Sequence, residues 1–298
     1  MIDLADGARV FVEEAGPVSR KGAIFVHGSA LRTDVWHYQL PGLRGHRLVF
    51  CDLRGHGQSR PRGRHAYSAA TLTDDLSRVI EAAGLDEVVI VGHSVGGMVA
   101  LELCRRHPEL LGPSIKGLVL VNTTYGPVTE SIIGGGVGLT RLERIMRNPI
   151  DFLGTKHTHI ERLRKLIRPS DAAFWGVALA AFGPHASARQ IDLTFDMVSE
   201  TPVEVIFDLL KSYRDFDVTD HLGDITVPAV VIGGTHDRII VPGASQHLGA
   251  NLPKADLHIF DKCGHMSMLE RHREFNRIVG EFLDDVLGAP GAEDPQGD

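Results

Sequence analysis

Residues 88–100 read VVIVGHSVGGMVA and set one serine at the joint between two kinds of sequence. Val88, Val89, Ile90 and Val91 make the short β-branched run of a buried strand. From Val95 onward the chain is small and apolar, and Met98, Ala100 and Leu101 continue it as a helix. Glycine weakens strands and helices alike, so Gly92, Gly96 and Gly97 around Ser94 need a backbone reason. A strained strand-to-helix turn supplies one. The chain passes itself there only if the residues two before and two after the serine lack side chains. Such a turn lifts the Ser94 hydroxyl clear of the sheet edge. It also points the Val95 N–H at a helix start, where anionic oxygen is stabilised. Ser94 is the candidate nucleophile and Val95 a candidate oxyanion donor.

Outward from this joint, strand and helix signals alternate. RVFVEE (9–14) reads as a half-alternating strand, and GAIFVHG (22–28) and RLVFCD (47–52) as buried parallel strands. DVWHYQLPGL (34–43) reads as a short helix. TLTDDLSRVIEAAG (71–84) spaces its apolar residues as a helix does, with Thr71 and Asp74 as a capping box and Gly84 as its stop. IKGLVLVN (115–122) is a further strand. The alternation predicts a parallel sheet covered on both faces. It breaks near residue 126 and resumes at VPAVVIGG (227–234) and ADLHIF (255–260). Between them lie only helical stretches: 139–148, 159–167, 172–182, 191–200 and 203–213. The predicted organisation is an α/β core over 1–125, a helical insertion over 126–217, and the rest of the core over 218–287. A Gly/Pro-rich acidic tail over 288–298 is expected to be disordered.

A serine hydroxyl needs a base, and the base needs an orienting acid. The chain has 16 histidines, so position must choose among them. His265 follows the last strand in DKCGHMSML (261–269), and Asp237 follows the preceding one in IGGTHDRIIVP (232–242). Loops at the carboxyl ends of parallel strands gather at one edge, which brings Ser94, Asp237 and His265 together. FVHGSALRTDVW (25–36) ends a strand in His-Gly and offers a second oxyanion N–H, assigned to Ser29 with Ala30 as the weaker choice. Trp175, Phe182 and Met266 are candidates for lining a substrate pocket. The aromatic residues among them have a plainer reading, as packing that holds the helical insertion together.

Bulk properties remove other classes. A net charge of −7 excludes the basic surface that nucleic acid requires. Apolar runs stay far below the ~20 residues of a membrane span. The start, MIDLADGARVFVEEAG, has no secretory pattern, and three scattered cysteines suit a reducing cytoplasm, so a cytoplasmic protein is expected. His157 and His159 lack further ligands at metal spacing, and IIGGGVG (132–138) follows no strand, so neither a metal nor a nucleotide cofactor is expected.

His27-Gly28, DLRGHGQS (52–59), GHSVGG (92–97), Asp237 and GHMSMLE (264–270) together resemble the α/β-hydrolase superfamily over roughly residues 8–287. The resemblance implies a mostly parallel eight-stranded sheet with an all-helical cap inserted after the sixth strand, where the alternation breaks. It resembles the capped serine hydrolases of the esterase, perhydrolase and enol-lactonase type. Serine at 94 argues against branches whose nucleophile is a carboxylate. His93 argues against the C–C bond hydrolases, which more often have asparagine there. Asp52, Arg54 and His56 read as structural, since buried charges persist when paired. The expectation is hydrolysis of small, mostly apolar carboxylic esters through an acyl-enzyme. Lactone hydrolysis or cofactor-free perhydrolysis is the alternative. A C–C hydrolase or a non-catalytic ligand-binding receptor ranks below both.

Overall fold

The β-branched runs on either side of the Ser94 joint become the middle of one sheet. The computed structural model describes residues 1–60, 67–126 and 171–290. The strands are Ile2–Asp3 (β1), Arg9–Val10 (β2), Val12–Ala15 (β3), Lys21–Val26 (β4), Leu48–Cys51 (β5), Glu87–His93 (β6), Ile115–Val121 (β7), Ala229–Gly234 (β8) and Ala255–Phe260 (β9). Seven of them form the main sheet, in the order β3-β5-β4-β6-β7-β8-β9. All its pairings are parallel except β3 against β5.

The expected count of eight strands is therefore corrected to seven among the described residues. The stretch 9–14 does not run on as a single strand, because Phe11 leaves the ladder. Its N–H donates to Ser59 Oγ at 2.9 Å and its carbonyl accepts the Asp52 N–H at 3.0 Å. Arg9–Val10 then pairs with Ile2–Asp3 in a separate two-stranded ribbon.

The inner strands β4 to β8 are buried on both faces. Ile24, Val26, Val88 and Ile90 belong to one core cluster, and their neighbours Ala23, Phe25, Val89 and Val91 to another. This follows from the twofold side-chain period of a strand. Helices Ala69–Ala82 (α2) and Val95–Arg106 (α3) cover the first face, after a short turn of helix at Gln39–Gly42 (α1). The α2 helix begins at Ala69, two residues before Thr71, because Ser68 Oγ accepts the Thr71 N–H at 3.1 Å and caps it. Gly84, at φ +64°, follows its end.

Residues 171–212 hold three helices, Asp171–Ala181 (α4), Ala188–Glu200 (α5) and Val203–Ser212 (α6). Pro242–Asn251 (α7) and Ser267–Glu270 (α8) follow. His272–Leu287 (α9) closes the chain and buries Phe275, Ile278, Val279 and Leu283 against the second face. The helical stretches expected at 139–148 and 159–167, the glycine run at 132–138 and the tail beyond 290 lie outside the described residues. No described helix is long and apolar enough to cross a membrane.

Candidate active site

Four loops converge at the carboxyl ends of β4, β6, β8 and β9. The β6–α3 turn puts Ser94 at φ 52° and ψ −118°, a left-handed conformation that a non-glycine residue holds only under strain. The turn is possible because its flanks are bare: a Cβ on Gly96 would lie 2.1 Å from the Val26 carbonyl oxygen, and one on Gly92 2.6 Å from that of Gly96. Ser94 is also the N-terminal cap residue of α3, so the Val95 N–H is among the first-turn donors that have no acceptor within the helix. The Ser94 N–H itself is tied to the Val121 carbonyl at 2.9 Å, and its carbonyl accepts the Thr123 hydroxyl at 2.6 Å.

Asp237 and His265 meet across the β8 and β9 loops. His265 Nδ1 donates to Asp237 Oδ2 at 2.8 Å, and both side chains are buried. The other oxygen of Asp237 accepts the N–H groups of Ile239 and Ile240, each at 2.9 Å. With its Nδ1 proton engaged, the imidazole presents Nε2 as its basic nitrogen.

Sequence reasoning missed two residues that complete this arrangement. Asn122, at the end of β7 and at φ 45°, donates through Nδ2 to Asp237 Oδ2 at 2.9 Å. Its own Oδ1 accepts the Ser267 hydroxyl at 2.5 Å. The signal available was a polar residue closing an apolar strand, LVLVN, at the same sheet edge. Glu270 is the second. Its Oε2 accepts the Gly183 N–H at 2.9 Å and its Oε1 the Gly264 N–H at 2.8 Å. Burial raises its carboxyl above the ordinary range, against these two bonds. The N–H groups of His265 and Met266 also bond to the Ala181 carbonyl, at 2.9 and 3.2 Å. The end of α4 and the His265 loop are thus one hydrogen-bonded unit.

The loop after β4 lies against the turn: a Cβ on Gly28 would sit 2.9 Å from Ser94 Cβ. Within it, Ala30 gives its N–H to His56 Nε2 at 3.1 Å. His93 donates through Nε2 to the His265 carbonyl at 3.0 Å, and burial holds its imidazole well below the usual histidine range.

Ser94, His265, Ser29 and Val95 line one cavity of about 480 Å³. Its remaining walls come largely from apolar residues of α3 to α6 and of the Asp237 and His265 loops, among them Met98, Val177, Ile206, Leu209, Ile240 and Met266. The three pocket candidates are divided. Met266 lines the cavity. Trp175 does not: it is 60% exposed, because α4 is apolar all round and turns that residue outward. Phe182 is buried in the second core cluster, where its backbone would touch a Cβ on Gly264, and it is not a wall of the cavity. No group of three or more metal-ligating side chains occurs among the described residues.

A profile described as "Alpha/beta hydrolase family" matches residues 23–278. The chain belongs to the alpha/beta hydrolase family. It is 28% identical over 80% of its length to the 2-hydroxy-6-oxononadienedioate/2-hydroxy-6-oxononatrienedioate hydrolase 1 of Dechloromonas aromatica, of which 76% is covered. Among solved structures it is similar to an esterase from Exiguobacterium antarcticum, with a TM-score of 0.77, 20% identity, and coverage of 95% of this chain and 98% of the other. The enol-lactonase from Burkholderia xenovorans LB400 matches with a TM-score of 0.71, 21% identity, and coverage of 93% and 97%. The alpha/beta hydrolase family to which the chain belongs thus joins hydrolases named for esters, a lactone and dienedioates.

Proposed function

We propose that this alpha/beta hydrolase cleaves carboxylic ester bonds of small, mostly apolar substrates through an acyl-enzyme. The observation that carries the reading is that Ser94 and His265 line one apolar cavity while Asp237 engages His265 Nδ1. Ser94 Oγ attacks the ester carbonyl and gives its proton to His265 Nε2. The oxyanion is held by the N–H groups of Val95 and Ser29, each lowering the barrier by about 3 kcal/mol. Ala30 is the weaker donor, since its N–H is already given to His56. Collapse expels the alcohol, which takes the proton from His265. Water, deprotonated by the same base, then releases the acid. Residues 126–217 are read as the cap that closes the site, since α4, α5 and α6 contribute much of the cavity wall.

The dienedioate hydrolase relative supports a second reading, cleavage of a C–C bond in a dicarboxylate. The cavity favours the ester. Among the described residues no lysine or arginine lines it to meet a carboxylate. The likeness to an enol-lactonase keeps a cyclic ester within the same chemistry.

Turnover of p-nitrophenyl esters from acetate to palmitate tests the reading, run beside Ser94→Ala. Hydrolysis by the parent and none by the variant supports it, and the chain-length optimum sizes the cavity. Labelling of Ser94 by a fluorophosphonate without turnover of any ester or lactone would remove the ester reading. No labelling at all would remove the serine nucleophile.

A further inference from the structure

His93 closes β6, one residue before Ser94, and its side chain is fully buried. The proposed triad makes no use of it. Its imidazole nonetheless meets both the base and the loop after β4. Nε2 lies 3.0 Å from the His265 carbonyl oxygen, and the two rings tilt together with centroids 4.7 Å apart. Trp36, on the segment that follows Ser29, stands edge-on to the His93 ring at 6.5 Å and 89°. A Cβ on Gly28 would lie 2.8 Å from His93 Nδ1, so the loop after β4 rests directly on the ring.

A carbonyl oxygen only accepts, so Nε2 carries the hydrogen and Nδ1 keeps its lone pair. Nδ1 has no partner among the described residues, so a second proton there would find no acceptor among them. Burial and the neighbouring His265 both hold the imidazole neutral. This suits a donor placed beside the base. His265 becomes an imidazolium in the proposed reaction, and a lysine or arginine at 93 would repel it. A neutral ring grips the same main chain without that repulsion.

The grip matters because His265 sits in a turn between β9 and α8, outside any strand or helix. Asp237 fixes the rotation of its ring through Nδ1, and the Ala181 carbonyl accepts its N–H at 2.9 Å. Ala181 belongs to α4, outside the sheet. The His93 bond ties the main chain of the base to the sheet edge, at the residue covalently joined to Ser94. We infer that His93 is a positioning residue, whose Nε2 hydrogen bond to the His265 carbonyl sets the reach of the base to the Ser94 hydroxyl. This role rests on the serine-hydrolase reading above. A misplacement of about 1 Å in such a reach is enough to cost about 100-fold in rate.

Two substitutions separate the donor from the ring. His93→Phe keeps a flat ring and removes the donor, whereas His93→Gln removes the ring and returns an N–H at a reach similar to Nε2. The rate at which a fluorophosphonate labels Ser94 compares them, because it needs the base but no particular ester. His93→Phe should slow labelling about tenfold or more, and His93→Gln should keep most of the parent's rate. On any ester that is turned over, the loss should fall on kcat with KM kept. A smaller loss in His93→Phe, an equal loss in His93→Gln, or a loss confined to KM overturns the role. Thermal melts check that each variant is folded. If His93→Phe does not fold, His93→Asn replaces it, since its amide stops short of the carbonyl. If Ser94 of the parent is not labelled at all, the serine reading fails by itself. The role of His93 is then decided by the proton resonance of the His265 Nδ1–H, which the bond to Asp237 moves downfield. Its loss in His93→Phe and its return in His93→Gln support positioning. A resonance unchanged in both, or lost in both, overturns it.

Discussion

The loop at 52–59 and the cavity beside Ser94 occupy the same edge of the sheet, and both bury polar side chains, yet they treat them in opposite ways. In the loop each group is matched. Asp52 accepts the N–H groups of Thr33 and Gln58, both at 2.7 Å. Arg54 grips Asp75 through two bonds of 2.6 and 2.8 Å and also meets Asp6. His56 donates to the Arg54 carbonyl at 3.0 Å while accepting from Ala30. In the cavity Ser29, His93, Thr194 and Tyr213 carry polar atoms without partners among the described residues. A fully satisfied network fixes one arrangement of backbone, whereas a polar atom left without a partner adds no such constraint. The first holds the loop at 52–59 still.

The largest effect expected from disturbing this contrast is on the cavity side. If Ser94 is the nucleophile, Ser94→Ala should lower kcat by about 10⁵-fold or more with little change in melting temperature, since alanine keeps the same backbone conformation. A fall of less than tenfold against the best ester would mean that another group attacks. On the network side, Arg54→Ala leaves Asp75 buried without its cation and should cost about 3–5 kcal/mol in urea unfolding, with KM unmoved. A loss under 1 kcal/mol would show that the network is not what holds the loop. Asn122 belongs to neither region alone, since it spans from Ser267 to the acid. Asn122→Ala should reduce kcat by about 10- to 100-fold with little change in KM, because Asn122 does not line the cavity. A change confined to KM would refute the positioning role.

The effect that is smallest per unit change is a slope in pH. Burial lowers His27 to about 4 and His56 to about 3. Each stays neutral in the fold and takes a proton near pH 6.5 once unfolded. Unfolding therefore binds protons below pH 6.5, and stability falls as pH drops from there toward 4. Each histidine contributes about 1.4 kcal/mol per pH unit within the window and nothing further above it. Urea midpoints that stay level from pH 7 to pH 4.5 would contradict this.

The candidate site was legible in the sequence because its residues coincide with features of the backbone. Ser94 is announced by the glycines that its turn requires, and Asp237 and His265 by the strands that end just before them. What escaped is decided by tertiary neighbours. Trp175 could not be assigned a face, since AAFWGVALAA is apolar on all sides of a helix. The break at Phe11 depends on Ser59 and Asp52, far along the chain. Asn122 looks like any polar residue at the end of a strand until Asp237 arrives beside it. The unpaired hydroxyl of Thr194 is invisible locally, for the same residue type in α2 bonds its own helix.

The bonds between Ala181 and His265, and from Gly183 and Gly264 to Glu270, tie the end of α4 to the loop that carries His265. Because the Ala181 carbonyl holds the N–H groups of both His265 and Met266, a substitution that unwinds the end of α4 is expected to displace His265 as well, although α4 itself carries none of the proposed triad.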